Sequence, residues 1–253
     1  MLHRTALAVT FAALMFGCAS GTDDTQEIVA NLIQAGFPAD DIMVVDGLVY
    51  VGRDAQVSLE ASREMLISDP GKEQYRTTNL VSLSLATICV DGSRLTKEPF
   101  NTAVNNALAN YNSLNLTFHM VRTSGNAAGC NALISIRISG PTGGSSGFPS
   151  GGLPFNSIHI GRGLSSFATS TVTHVITHEL GHCVGFRHSD FFDRSISCGG
   201  QPSNEGDGGV GAILIASTPS GAVVGGSVMN SCFRTVEAGL FTSTDKTALN
   251  ALY

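Results

Sequence analysis

The chain has 253 residues, 43% hydrophobic and 13% charged, with a net charge of −6. That balance excludes a disordered or coiled-coil chain, and the lack of any lysine- or arginine-rich run argues against a nucleic-acid partner. The 29 glycines follow no collagen-like period and predict long ordered loops, in a chain large enough to bury a core without a staple.

The first element is a leader. Met1-Leu2-His3-Arg4 is a short basic lead, and Thr5 to Gly17 is an apolar run of 13 residues, too short for a spanning helix and suited to a signal peptide. It ends at Met15-Phe16-Gly17-Cys18, which resembles a bacterial lipoprotein signal in which Cys18 becomes the lipidated first residue. An ordinary cleaved signal near Ala19 to Gly21 is the alternative. The expectation is an exported chain, either a membrane-anchored bacterial lipoprotein (periplasmic or on the cell surface) or a secreted protein. Export permits disulfides among Cys89, Cys130, Cys183, Cys198 and Cys232. Cys183 and Cys198 lie 15 residues apart and form one expected pair. Cys89 with Cys130 is the other, which leaves Cys232 free.

Residues 19–75 read as a small separate unit. Gln26 to Ala35 carries apolar residues at helical spacing and is stopped by Gly36 and Pro38. Ile42 to Val45 and Leu48 to Val51 flank Asp46-Gly47, a hairpin signal. Ser58 to Ile67 is a short helix ended by Asp69-Pro70-Gly71. From residue 76 the pattern turns to strands with two helices. Val81 to Val90, Leu116 to Val121, Asn131 to Ile138 and Ser157 to Gly161 read as strands, and Pro99 to Tyr111 as a helix with proline in its first turn. Gly140 to Pro154 is glycine- and serine-rich and reads as a surface loop or a loosely tied edge. Thr171 to Thr177 is β-branched and favours a strand locally.

The next residues decide that segment. In His178-Glu179-Leu180-Gly181-His182-Cys183-Val184-Gly185-Phe186-Arg187-His188, a helix sets His178 and His182 about 40° apart and one turn along, so both imidazoles can grip one ion. Glu179 sits about 100° around, beside the ion, where a base belongs. Gly185 can adopt the left-handed conformation that ends the helix, and His188 then closes a third corner. Three neutral imidazoles leave zinc one open tetrahedral position, the mark of a catalytic site. Cys183 lies about 140° from His178, away from the ion. His174 shares the histidine stripe further up the axis and reads as core or as support for the ligands. His119 and His159 read as packing residues in strands.

The pattern HExxHxxGxxH, followed by Gly225-Gly226-Ser227-Val228-Met229-Asn230-Ser231 with Met229 lying 41 residues after His188, resembles the metzincin zinc peptidases. The run from Val175 to Asp190 is most similar to the bacterial dual-action HEIGH metallopeptidases, with Leu180 where that family's name has isoleucine. The resemblance implies an α+β fold: a twisted mixed five-stranded sheet with two long helices in an upper subdomain, residues 76–185. Below it would lie an irregular lower subdomain, 186–253, ending in a helix. It further implies one catalytic zinc on His178, His182 and His188, and Met229 as a floor beneath the imidazoles. The activity implied is that of an exported zinc-dependent endopeptidase, acting on peptide or protein substrates by metal-activated water with Glu179 as general base. A monomer is expected. Asn204-Glu205-Gly206-Asp207 offers oxygens for a structural calcium ion without EF-hand spacing. The rival reading is an inactive, zinc-holding binding protein, against which the intact Glu179 speaks. After the leader, residues 1–18, the segment 19–75 reads either as a propeptide, one of whose aspartates could fill the open zinc position, or as a permanent accessory unit.

Overall fold

The computed structural model describes residues 20–66, 75–206 and 211–253. The expected leader at 1–18 with Cys18, the expected boundary at Asp69-Pro70-Gly71 and Asp207 lie outside the described residues. In chain order the elements are α1 (Ser20–Gln34), β1 (Met43–Val45), β2 (Leu48–Val51), β3 (Ala55–Val57), α2 (Leu59–Glu64), β4 (Tyr75–Arg76), β5 (Thr87–Asp91) and α3 (Phe100–Asn112). Then come β6 (His119–Thr123), β7 (Ala132–Ile138), β8 (Gly144–Gly147), β9 (Ser157–Ile160), a 3-10 turn (Arg162–Ser166), α4 (Thr169–Cys183), α5 (Ser195–Cys198), β10 (Ile213–Leu214) and α6 (Ser243–Leu252). No helix among the described residues is long and apolar enough to cross a membrane.

The architecture is mixed α+β, as expected. Strands β8-β9-β7-β5-β6 form a five-stranded array, parallel except for the antiparallel β8–β9 pair. The sheet does not stop there. The hairpin β1–β2 turns at Asp46-Gly47, both with positive φ, and β3 continues it to pair with β8, so eight strands are continuous in the order β1-β2-β3-β8-β9-β7-β5-β6. The glycine-rich stretch from Gly140 is therefore not a loose edge: β8 is an inner strand bonded on both sides. Its side chains carry no apolar alternation because main-chain hydrogen bonds and close packing hold it. A Cβ on Gly147 would meet the Phe155 ring at 2.8 Å.

Two apolar clusters result. The larger packs α3, α4 and α6 on β5, β6, β7 and β9 through residues such as Ile88, Val104, Leu108, Ile134, Ile158 and Ile176. The smaller joins α1, α2 and β2–β3 through Leu32, Val49, Val57 and Met65, with Phe148 from the end of β8. Within the first, α4 is buried from Thr171 to Cys183. Tertiary contacts override its β-branched preference: Tyr111 Oη donates to Thr177 O at 2.9 Å, and Asn110 Nδ2 donates to Thr177 Oγ1 at 3.1 Å.

The disulfides are Cys89–Cys130, as expected, and Cys198–Cys232, not Cys183–Cys198. Cys183 points into the core on the last turn of α4 and is free and fully buried, whereas Cys198 ends the exposed turn α5 beside the strand-free segment holding Cys232. Cys232 N donates to Ser197 Oγ at 3.0 Å, which brings the two chain segments together. With a sequence separation of 34, this bridge stabilises the fold by between about 3 and 4 kcal/mol in the chain-entropy model. The double variant C198S/C232S should lose that amount in denaturant unfolding, while C183S should not change the disulfide mass map. A map linking Cys183 to Cys198 would contradict the pairing.

Candidate metal centre

Helix α4 delivers His178 and His182 one turn apart, and the chain must then double back. Gly185, at φ 106°, makes that turn, and a Cβ there would lie 2.6 Å from Asn79 O. The reversed segment is fixed by Thr77 N to Gly185 O and by Arg187 N to Tyr75 O, both 2.9 Å. From the C-terminus, Tyr253 Oη donates to Val184 O. His188 is thereby brought opposite the helix.

The three Nε2 atoms converge, at 3.1 Å for His178–His182, 3.2 Å for His178–His188 and 3.3 Å for His182–His188. Each Nδ1 is committed to an oxygen: His178 to Val228 O at 2.8 Å, His182 to Phe186 O at 2.8 Å and His188 to a Glu205 carboxylate oxygen at 2.7 Å. Those oxygens can only accept, so in the neutral rings the protons sit on Nδ1 and the Nε2 lone pairs face one another. Three lone pairs aimed at a common point need a cation there. The donors fit zinc, because zinc–nitrogen bonds of about 2.0–2.1 Å in tetrahedral geometry separate the nitrogens by about 3.3 Å.

A fourth donor comes from outside the helix. Asp54 Oδ2 lies 3.1 Å from His188 Nε2 and 3.8 Å from His178 Nε2, and its Oδ1 lies 3.8 Å from His182 Nε2. Asp54 Oδ1 is buried without a hydrogen-bond partner among the described residues. Asp54, His178, His182 and His188 together form a group able to hold a metal ion.

Around this group the electrostatics is dominated by burial. Burial and then the neighbouring His178 push His182 down to about 3. Burial opposes charge on His188 too, but Asp54 and Glu205, on its two ring nitrogens, outweigh it and push the ring up to about 10. Glu205 is almost fully buried, yet His188, Arg187 and Arg194 hold it down at about 2. Burial first, and the Asp54 carboxylate second, raise Glu179 well above the usual carboxylate range, against the hydrogen bond from Ser146.

Glu179 stands beside the four donors rather than among them. Ser146 Oγ lies 2.9 Å from Glu179 O and 2.7 Å from Glu179 Oε2, as donor. Glu179 faces a cleft of about 290 Å³ lined also by Gly143, Gly144, His174, His178 and Phe233. His174, read as core or support, lines this cleft: its ring stacks on His178 and its Nδ1 lies 3.3 Å from Glu237. Burial, then His178, lower it to about 4 against Glu237. Met229 is buried under α4, where a Cβ on Gly181 would meet its Cε at 3.2 Å. His119 and His159 stand in β6 and β9, away from the group.

Three residues that carry the site were not singled out as ligand supports in the sequence. Glu205 Oε1 accepts from His188 and Arg194, and Oε2 accepts from Arg187 at 3.2 Å. The carboxylate weighed for calcium is thus consumed within the protein, and Asn204 Oδ1 accepts from Gly206 N at 2.7 Å. Asp245 caps α6 with Thr242 and also accepts from Ser227 Oγ and from Val228 N at 3.0 Å, holding the turn whose Val228 O orients His178. Asp190 accepts from Ser231 N at 2.8 Å and from Ser197 Oγ, tying the same turn to α5. The threonine-to-aspartate capping signature before α6 was the one signal available for any of them.

A family model described as dual-action HEIGH metallo-peptidase matches residues 49–253. Two solved structures of myroilysin align at 15% and 14% identity, covering 69% of this chain and 95% and 85% of theirs, each with a TM-score of 0.40. No curated protein matches the chain.

Proposed function

Because the chain belongs to the dual-action HEIGH metallo-peptidases, we propose that it is an exported zinc endopeptidase with His178, His182 and His188 as ligands and Glu179 as general base. The observation that carries this reading is the convergence of three Nε2 atoms at 3.1–3.3 Å with every Nδ1 engaged elsewhere. When bound, zinc supplies Lewis acidity that polarises a carbonyl and lowers the pKa of water.

The chain's own residues do the rest. Val228 O, Phe186 O and Glu205 set the tautomers, so that each imidazole presents Nε2. Ser146 fixes Glu179 Oε2, which leaves Oε1 to take a proton from water and return it to the leaving amine nitrogen. Its burial keeps that carboxylate poorly solvated and hence a stronger proton acceptor than it would be in water. Met229 packs beneath the helix as an apolar floor that keeps the two imidazoles of α4 from tilting. Export rests on the leader of residues 1–18 and on the two disulfides, which need an oxidising compartment. Mass analysis of the mature N-terminus distinguishes a lipidated Cys18 from a plain cleaved end.

The test is cleavage of a mixed peptide library by the zinc-loaded chain and by its Asp54→Ala variant, each with and without a chelator. Chelator-sensitive internal cleavage is expected. Its absence from both proteins, or its persistence under chelation, sinks the reading.

A second variant probes the placement of Glu179. A Cβ on Gly144 would press on Glu179 Oε1 and lie 2.7 Å from its Cγ. Gly144→Ala should therefore push the base aside and lower kcat by roughly 10²-fold with zinc content unchanged. An unaltered kcat would show that the carboxylate tolerates displacement.

A further inference from the structure

We infer that His174 determines the specificity of the cleft: its Nε2 accepts a hydrogen bond from the hydroxyl of a substrate tyrosine, so the chain cuts beside tyrosine in preference to phenylalanine. The inference rests on the metallopeptidase reading above and names the side chain that the same site selects.

The first observation is a lone pair. His174 stands one turn before His178 on α4, is 3% exposed, and lines the cleft. Its two ring nitrogens differ in surroundings. Nδ1 faces Glu237 Oε2 at 3.3 Å. That carboxylate already accepts from Arg234, by Nε on Oε1 at 2.8 Å and by the main-chain N on Oε2 at 3.1 Å. A carboxylate so engaged only accepts, so the ring proton sits on Nδ1 and the lone pair on Nε2. Burial, and then His178, keep the ring uncharged. Nε2 is buried with no hydrogen-bond partner among the described residues. A buried acceptor is costly until a donor reaches it.

The second observation is the shape and chemistry of the space beside that ring. The strand side of the cleft is bare, formed by Gly143 and Gly144, whereas α4 supplies Val175 and the loop after Met229 supplies Phe233. Phe233 is backed edge-on by Phe167, at 6.2 Å between ring centroids. The loop is held in place. Asn110 Nδ2 on α3 donates to Gly239 O at 2.6 Å, and Glu237 N donates to Arg234 O at 3.2 Å. The result is a preformed apolar slot with one acceptor in its wall. It suits a flat, apolar side chain that ends in a donor, which is tyrosine. Phenylalanine fills the same slot but leaves Nε2 without a partner, and a site that hydrogen-bonds a substrate hydroxyl discriminates strongly against the analogue lacking it. Glu179 lines the same cleft, which puts the selected side chain next to the bond being cut.

Two peptides identical but for tyrosine or phenylalanine at that position test the inference without any mutation. The zinc-loaded protein that cleaves the peptide library should enrich tyrosine beside the cut, and its kcat/KM should be roughly tenfold or more higher for the tyrosine peptide. His174→Leu, which has no acceptor, should bring that ratio near one by slowing the tyrosine peptide alone. His174→Gln, whose amide oxygen can accept, should keep part of it. Each ratio is taken within one protein, so differences in zinc content or folded fraction cancel. Equal rates for the two peptides in the parent chain overturn the inference, as does an unchanged ratio in His174→Leu. A library optimum at aspartate or glutamate would assign the pocket to Arg53, which also lines it, and overturns it too. If His174→Leu slows both peptides alike, His174 supports His178 instead of contacting substrate. All four outcomes leave the peptidase reading intact, whereas the absence of any chelator-sensitive cleavage removes that reading and this one together.

Discussion

Glu179→Gln is expected to retain one zinc per molecule and to lose peptide hydrolysis by roughly 10²–10⁴-fold. The amide keeps the shape of the carboxylate, and its oxygen can still accept from Ser146 Oγ, which now lies 2.7 Å from Oε2. The residue stands outside the four-donor group, so metal binding should not change. What the amide cannot do is accept a proton. Burial and the Asp54 carboxylate raise the pKa of Glu179, which makes it a better proton acceptor than an exposed glutamate. Zinc analysis beside steady-state kinetics decides the matter: near-parental hydrolysis would remove Glu179 from the proposed chemistry, and lost zinc would make it a structural support.

The second large effect is expected at Glu205. Its carboxylate orients His188 and neutralises Arg187 and Arg194, of which Arg187 is 0% exposed and Arg194 7% in their side chains. Glu205→Ala removes a buried carboxylate that is ion-paired with two buried guanidinium groups, a change that destabilises by roughly 3–5 kcal/mol. Glu205→Gln is the more informative variant. It keeps the side-chain volume and an acceptor for His188 Nδ1, but sets an amide NH2 where a carboxylate oxygen accepted and removes the charge that pairs with the two arginines and makes the third imidazole a stronger ligand. Zinc affinity should fall roughly 10–100-fold, read on the folded protein by competition with a chromophoric chelator. An unchanged zinc affinity in Glu205→Gln, with Glu205→Ala as stable as the parent, would reduce the residue to a bystander.

The motif is local, and for that reason it was legible. His178, Glu179 and His182 are related by one helical turn, and Gly185 with His188 by one reversal of the chain. Spacing along the backbone dictates where such side chains point, and the structure has Gly185 at φ 106° and three convergent Nε2 atoms. The hairpin at Asp46-Gly47 and the helix from Phe100 were legible on the same ground, because turn chemistry and apolar period act over a few residues.

Everything that surrounds the motif depends on distance in space instead. Asp54 meets His188 across 134 residues of chain, and Asp245 holds Ser227 and Val228 across 18 and 17. Nothing in an isolated carboxylate tells which distant nitrogen it will face. The segment from Gly144 to Gly147 carries no apolar alternation, since its partners are backbone groups on two neighbours and its glycines leave room for Glu179 and Phe155. A strand held mainly by main-chain bonds leaves no trace in side-chain periodicity. The cysteines follow the same rule: nearness in sequence favoured Cys183 with Cys198, but helix α4 turns Cys183 into the core and leaves Cys198 facing Cys232. Helical phase and turn chemistry operate within one or two turns of chain. Pairing of strands, carboxylates and thiols is decided by which surfaces the folded layers bring together.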